Sequence, residues 1–317
     1  MTNKAYFSLL SLGAVLLVFL LFPDSPKELN WVKIILLFAP ILLIPIWLYA
    51  QFSIKNLGLL VGAGGLGLAF LMPQGGLAGA LALPWLLFTL WLAYQCLFDE
   101  KQPSVATRSW SGRAAFLFLP VGAAWAVADR SGWQPMGFQA TIVLLTAVHF
   151  HYAGFLLLCI ADRLMQTGGR SKYKVLDFLL IAGVPLVALG ITLTDLDGPP
   201  WVETIAATVM AGGGIWIAVE HLVLAFRRTD IVTSTSWLLG SSCLLAGMIL
   251  AIAYGWRPYY PLDFLNIPWM YAVHGSLNFL GVGIFLSLGW WRNDRKLELI
   301  ASSVEYPWPK SELKKDQ

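Results

Sequence analysis

Long uninterrupted apolar blocks, separated by short polar connections, constrain this chain more than any other feature. An apolar run of about 18 residues or more is long enough to cross the hydrocarbon core of a bilayer as a helix. Only 12% of the residues are charged, against about 25% in an ordinary soluble domain. Disorder, a coiled coil and a soluble globular domain are excluded. A transmembrane β-barrel is also excluded, because it reads as short alternating segments rather than continuous apolar runs. The expected fold class is all-α, a polytopic transmembrane helix bundle.

Ten spans are expected, at about 6–22, 31–50, 57–73, 76–98, 113–128, 138–161, 174–193, 202–226, 236–256 and 268–290. Lys4 ahead of an apolar run gives the first of them a signal-peptide reading, but the run is long and no A-x-A-like site precedes Pro23, which favours a retained helix. The third is rich in glycine (Gly58, Gly62, Gly64, Gly65, Gly67) and reads as a full span or as half of a re-entrant pair. Residues 1–291 then form the membrane domain and 292–317 a polar cytoplasmic tail.

Lys and Arg concentrate in cytoplasmic loops. With ten spans, 17 of the 21 Lys and Arg fall on the side of the two termini and four (Lys27, Lys33, Arg130, Arg257) on the other. Both termini are therefore expected in the cytoplasm. The outer connections around Asp195–Glu203 and Trp256–Trp269 are aromatic, proline-rich and acidic. They suit an interfacial belt or a vestibule over a site opening outward.

All four histidines, His149, His151, His221 and His274, lie inside expected spans and none lies in a loop. Ionisable groups in hydrocarbon are costly and point to a functional site; the competing role is hydrogen bonding between helices. His149 and His151 are two apart, so on a regular helix they point about 200° apart: one can face a cavity while the other bonds to a neighbour. Tyr152 shares the His149 face. Glu220 reads as the one acid well inside a span, one turn after Trp216, and a histidine on another helix is its expected partner, since His221 beside it points away. Tyr271, His274 and Asn278 form one polar stripe at helical spacing. At about 1.5 Å per residue, His274 lies roughly 8 Å to the outer side of its span's midpoint and His221 roughly 10 Å to the cytoplasmic side of its own. A single compact four-histidine metal site is therefore disfavoured, and no bound cofactor is expected.

The segment Val148-His-Phe-His-Tyr-Ala-Gly-Phe155 together with His274-Gly-Ser-Leu-Asn278 resembles the YndJ-like bacterial membrane proteins. The resemblance covers the membrane region in outline. It implies a multi-pass protein of a bacterial cytoplasmic (inner) membrane and links His149, His151, Tyr152, His274 and Asn278 as a set.

Other motifs are absent or misplaced. Gly62-Ala-Gly-Gly-Leu-Gly67 lies within an apolar run, with no preceding strand and no Walker lysine. No HExxH, GxSxG or CxxC occurs, and Cys96, Cys159 and Cys243 are scattered over apolar blocks. The placement of Lys and Arg is explained by topology, so no nucleic-acid partner is expected; the partners are the bilayer and a small amphipathic or lipid-like substrate. Two functional readings follow. In a proton-linked transporter, histidines at several depths titrate near physiological pH. In an intramembrane enzyme, His149, His151, Tyr152, Glu220, His221, His274 and Asn278 supply acid–base groups for a lipid or isoprenoid, with a variant in which His149 or His151 and His274 ligate a metal or haem. A third reading leaves the histidines as helix-joining groups in a structural membrane protein.

Overall fold

The computed structural model describes residues 27–49, 56–98, 109–227 and 230–304. The span expected at 6–22 and the end of the polar tail lie outside the described residues. Nine helices are described: α1 (27–49), α2 (Asn56–Leu71), α3 (Gly76–Phe98), α4 (Trp110–Ser131), α5 (Ala140–Gly168), α6 (Lys174–Asp195), α7 (Trp201–Arg227), α8 (Ile231–Gly255) and α9 (267–304). No strand occurs among the described residues. Eight of the nine are long and apolar enough to cross a membrane; α2 is shorter. Each overlaps an expected span, but α5 runs seven residues past its expected end and α9 fourteen past its own. The segment after Arg292 continues as helix to Val304.

Consecutive helices pack as antiparallel neighbours, and α1 and α5 are the most enclosed. α1 lies against α5 and α9, and α5 also touches α9, so these three helices form the centre. Four π-helical segments interrupt them: Ala39–Leu43 in α1, Tyr152–Leu156 in α5, and Met270–His274 and Phe279–Leu286 in α9. The 279–286 segment packs against both 39–43 and 152–156. Local causes are visible for two. Pro40 has no N–H to donate. In α5, His151 Nδ1 lies 2.7 Å from the Ala147 carbonyl, the backbone acceptor that the α-helical pattern assigns to residue 151. Such π-bulges recur at functional sites.

Close approach of α9 to α8 depends on Gly281, where a Cβ would stand 2.9 Å from the Gly240 carbonyl oxygen and 3.0 Å from the Leu244 amide nitrogen. Backbone cannot yield as a flexible side chain can. Gly281→Leu is expected to lose about 3 kcal/mol or more by forcing α8 and α9 apart, seen as a lower melting temperature and a smaller monodisperse fraction in detergent.

Candidate functional site

The bundle has two chemically distinct ends. One carries the connections 132–139, 196–200 and 256–266, which together are aromatic and acidic; the other carries 169–173 and Arg227 at the end of α7, which are basic.

A cavity of about 680 Å³ occupies the half of the bundle nearer the aromatic–acidic end, within the size range of small-molecule sites. Its rim includes Met136, Asp195 and Ile267, and its walls are mostly apolar and aromatic. α5 contributes His149 and Tyr152 to its floor, and α9 contributes His274 and Asn278. Thus four of the seven expected site residues come together, drawn from the two short motifs at 148–155 and 274–278.

The floor is hydrogen-bonded in a specific way. His274 Nδ1 lies 2.8 Å from the Gly247 carbonyl on α8. A carbonyl can only accept, so Nδ1 carries the proton and a neutral ring presents Nε2 as an acceptor. The Asn278 amide nitrogen donates to the His274 carbonyl at 2.9 Å and lies 3.2 Å from Nε2. The Tyr152 hydroxyl donates to the Ile35 carbonyl at 2.8 Å, tying α5 to α1. His149 differs from the other three histidines, whose Nδ1 atoms each sit 2.7–2.8 Å from a backbone carbonyl. Its Nε2 is buried without a hydrogen-bond partner. The Val184 carbonyl is the backbone acceptor near its ring, and His274 is close enough to interact with it electrostatically.

Higher in the wall, the Thr146 and Thr192 hydroxyls donate to the carbonyls four residues earlier, each at 2.8 Å. At the mouth Arg257 holds Glu203 through two bonds of 2.7 and 3.1 Å, and Thr194 donates to the same carboxylate at 2.7 Å. This pair escaped the sequence reading. Glu203 stands in the first turn of α7, where an acid commonly complements the helix dipole, and Arg257 lies 54 residues away. The available signal was one arginine on the side that is otherwise poor in Lys and Arg.

His151 and His221 sit apart from the cavity. Each is fully buried and uses both ring nitrogens. His151 Nδ1 faces the Ala147 carbonyl, and Nε2 accepts from the Trp85 indole at 3.0 Å. His221 Nδ1 faces the Ile217 carbonyl, and Nε2 accepts from the Trp290 indole at 2.9 Å. Both are helix-to-helix clamps, α5 to α3 and α7 to α9. Gly122 on α4 makes room for the first, since a Cβ there would stand 2.8 Å from His151 Nδ1.

Glu220 also departs from expectation. Its partners are Lys172 (2.7 Å) and Tyr173 (3.0 Å) at the basic end, with Trp216 at 3.4 Å, and no histidine of another helix. Nor is it the one acid deep in a helix: Asp162, Asp129 and Glu203 are more thoroughly buried. An ion pair whose lysine is 54% exposed contributes about 0–1 kcal/mol. Glu220→Gln should therefore leave transport or turnover within roughly twofold and the melting temperature almost unchanged.

Further ties cross the basic end. The Ser109 amide donates to the buried Asp162 (2.7 Å), the Ser111 amide to Asp177 (2.7 Å), Arg163 pairs with Asp294, and Arg292 with Asp230 (2.9 Å). Arg292 and the Thr233 hydroxyl and amide hold the Asp230 carboxyl well below the usual carboxylate range. A depressed pKa contributes stability that is fully present above the unfolded value and is lost as pH falls through the folded one. This tie therefore holds throughout the neutral and mildly acidic range.

Among the described residues no group of three or more His, Cys, Asp or Glu is placed to hold a metal ion.

Comparison with known proteins follows the same segment of chain. The family model described as YndJ-like protein matches residues 34–282. A relative from Bacillus subtilis (strain 168), "Uncharacterized membrane protein YndJ", is 27% identical over 223 residues, covering 69% of this chain and 39% of that protein. The chain thus spans about two-fifths of the length of the relative it matches. No solved structure matches.

Proposed function

The chain belongs to the YndJ-like family, and from that premise we propose that it is a proton-linked transporter of a small amphipathic or lipid-like solute, with the cavity as its binding site. One observation carries the reading. The cavity lies towards one end of the bundle and is lined by two histidines, while the opposite end is held together by ion pairs and carboxylate-to-amide bonds. That arrangement suits one state of an alternating-access cycle, in which a midplane site faces one side only. Imidazoles along the solute path are suited to proton coupling because each can take up and release a proton. The mostly apolar wall favours an amphipathic solute over a strongly hydrophilic one.

The accompanying topology has ten spans in a bacterial cytoplasmic membrane, with both termini in the cytoplasm. Placing 17 of the 21 Lys and Arg on that side supports it. The aromatic–acidic end then faces outward.

His149, with its unpartnered Nε2 beside Tyr152 and Asn278, also supports acid–base chemistry on a lipid as a second reading. Proteoliposomes separate the two. The transporter reading expects an amphipathic solute to move only when a pH gradient is imposed, with protons moving in a fixed ratio. Chemical conversion of a lipid in detergent micelles, where no gradient exists, would favour the enzyme and contradict transport.

A further inference from the structure

The transport reading leaves the solute open, and the hydrogen bonding of the cavity narrows it. The donors of the floor, and several of those in the wall, are turned into the protein. The hydroxyls of Thr146, Tyr152, Thr192 and Thr194 each donate to a carbonyl or carboxylate. So do the His274 ring N–H and the Asn278 amide. Arg257, the cation of the lining, is held by Glu203 and by the Tyr254 carbonyl at 2.9 Å. The acceptor capacity left at the floor is that of Asn278 Oδ1 and the remaining lone pair of the Tyr152 oxygen, His274 Nε2 being shared with the Asn278 amide at 3.2 Å. His149 Nε2 is buried close by without a hydrogen-bond partner. Gln139, Trp125, Tyr254 and Tyr271, higher in the lining, carry donors outside this pattern.

A floor whose donors are occupied recognises a ligand that brings its own. Beyond the paired Glu203 and Arg257 the lining carries Asp195, and it includes the rings of Trp125 and Tyr271, of a kind whose faces attract cations; the Tyr254 ring is already covered by Arg257 at 3.8 Å. We propose that the ligand is a lipophilic primary or secondary amine, bound as its ammonium, with its N–H groups taken by the floor acceptors and its hydrocarbon part by the apolar wall. This rests on the cavity being the transport site.

The proposal supplies the coupling. Protonating His149 or His274 turns an acceptor into a donor and places a second positive charge beside the ammonium, so a proton and the amine compete for one site and exchange across the membrane. The groups facing the two rings are few. α9 contributes Tyr271 and Asn278, and α5 contributes Tyr152; α6 contributes Asp195 at the rim, α7 Glu203, α8 Tyr254, and the connection after α8 Arg257. α1 and α4 line the cavity with Val32, Ile35 and Trp125, and add no charge to it. No lining carboxylate sits at the floor to take the place of the imidazoles.

The test compares decylamine, decyltrimethylammonium and decanol for binding to the intact protein in nanodiscs, read by tryptophan fluorescence against empty discs. Decylamine should bind about tenfold more tightly than either, since hydrogen bonds to a charged group distinguish them. That advantage should shrink several-fold as acidification protonates the floor imidazoles. Asn278→Leu should weaken decylamine and leave decanol unchanged. Equal affinity for the trimethyl compound, preference for decanol, or binding independent of pH would each overturn the proposal, and the ligand series on the unaltered protein needs no variant to fold. Selective decylamine binding without proton-driven exchange in proteoliposomes would overturn transport and leave the ligand class standing. Gradient-driven movement of a solute that decylamine does not displace would do the reverse.

Discussion

His149→Ala should abolish proton-coupled movement of the solute while the protein folds and inserts normally. The ring has the Val184 carbonyl as its backbone contact, no tryptophan indole bonded to it among the described residues, and an Nε2 buried without a partner. Removing it deletes a titrating group from the floor and little else, so its effect on stability should stay within about 1 kcal/mol. The loss of function should be roughly a hundredfold or more, the size associated with removing a positioned acid–base group. His274→Ala should match it in function with a larger structural effect, because the bond that ties α9 to the Gly247 carbonyl of α8 is lost as well. Uptake per folded protein, with folded protein quantified by size-exclusion chromatography, measures both. Full activity in either variant contradicts a role at the floor.

The opposite outcome is expected for the other two histidines. His151→Ala and His221→Ala should each destabilise the protein by about 3 kcal/mol. A fully buried ring is replaced by a void, and the Trp85 or Trp290 indole N–H is left in a dry interior without its acceptor. The melting temperature and the yield of inserted protein should fall, while transport per folded molecule persists, because neither ring lines the cavity. Four residues of one type in one bundle thus divide into two pairs that respond to the same substitution in opposite ways.

That division was half legible in the sequence. The angle between His149 and His151 on a helix follows from the residue count alone, as does the stripe of Tyr271, His274 and Asn278. The apolar blocks are what make helices at these positions, because a backbone in hydrocarbon must satisfy its own hydrogen bonds. What no local pattern could give is which tryptophan meets which histidine. Trp85 and His151 are 66 residues apart, and Trp290 and His221 are 69 apart, so each meeting is decided by how helices pack. Glu220 misled for a related reason. Its position in an apolar helix suggested a buried acid, yet Lys172, on the short connection before α6, reaches it from the end of the bundle. Glu203 was obscured in the other direction, an acid at a helix start that the fold draws into a cavity mouth.

The account stands or falls on whether a solute path reaches the floor from the aromatic–acidic end. Ala153 lines the cavity, whereas Phe155, in the same π-helical segment, is fully buried elsewhere. With Cys96, Cys159 and Cys243 replaced by alanine, an impermeant thiol reagent applied outside intact cells should label Ala153→Cys and leave Phe155→Cys unmodified. An unreactive cysteine at 153 from either side of the membrane, or equal labelling of the two positions, would contradict it.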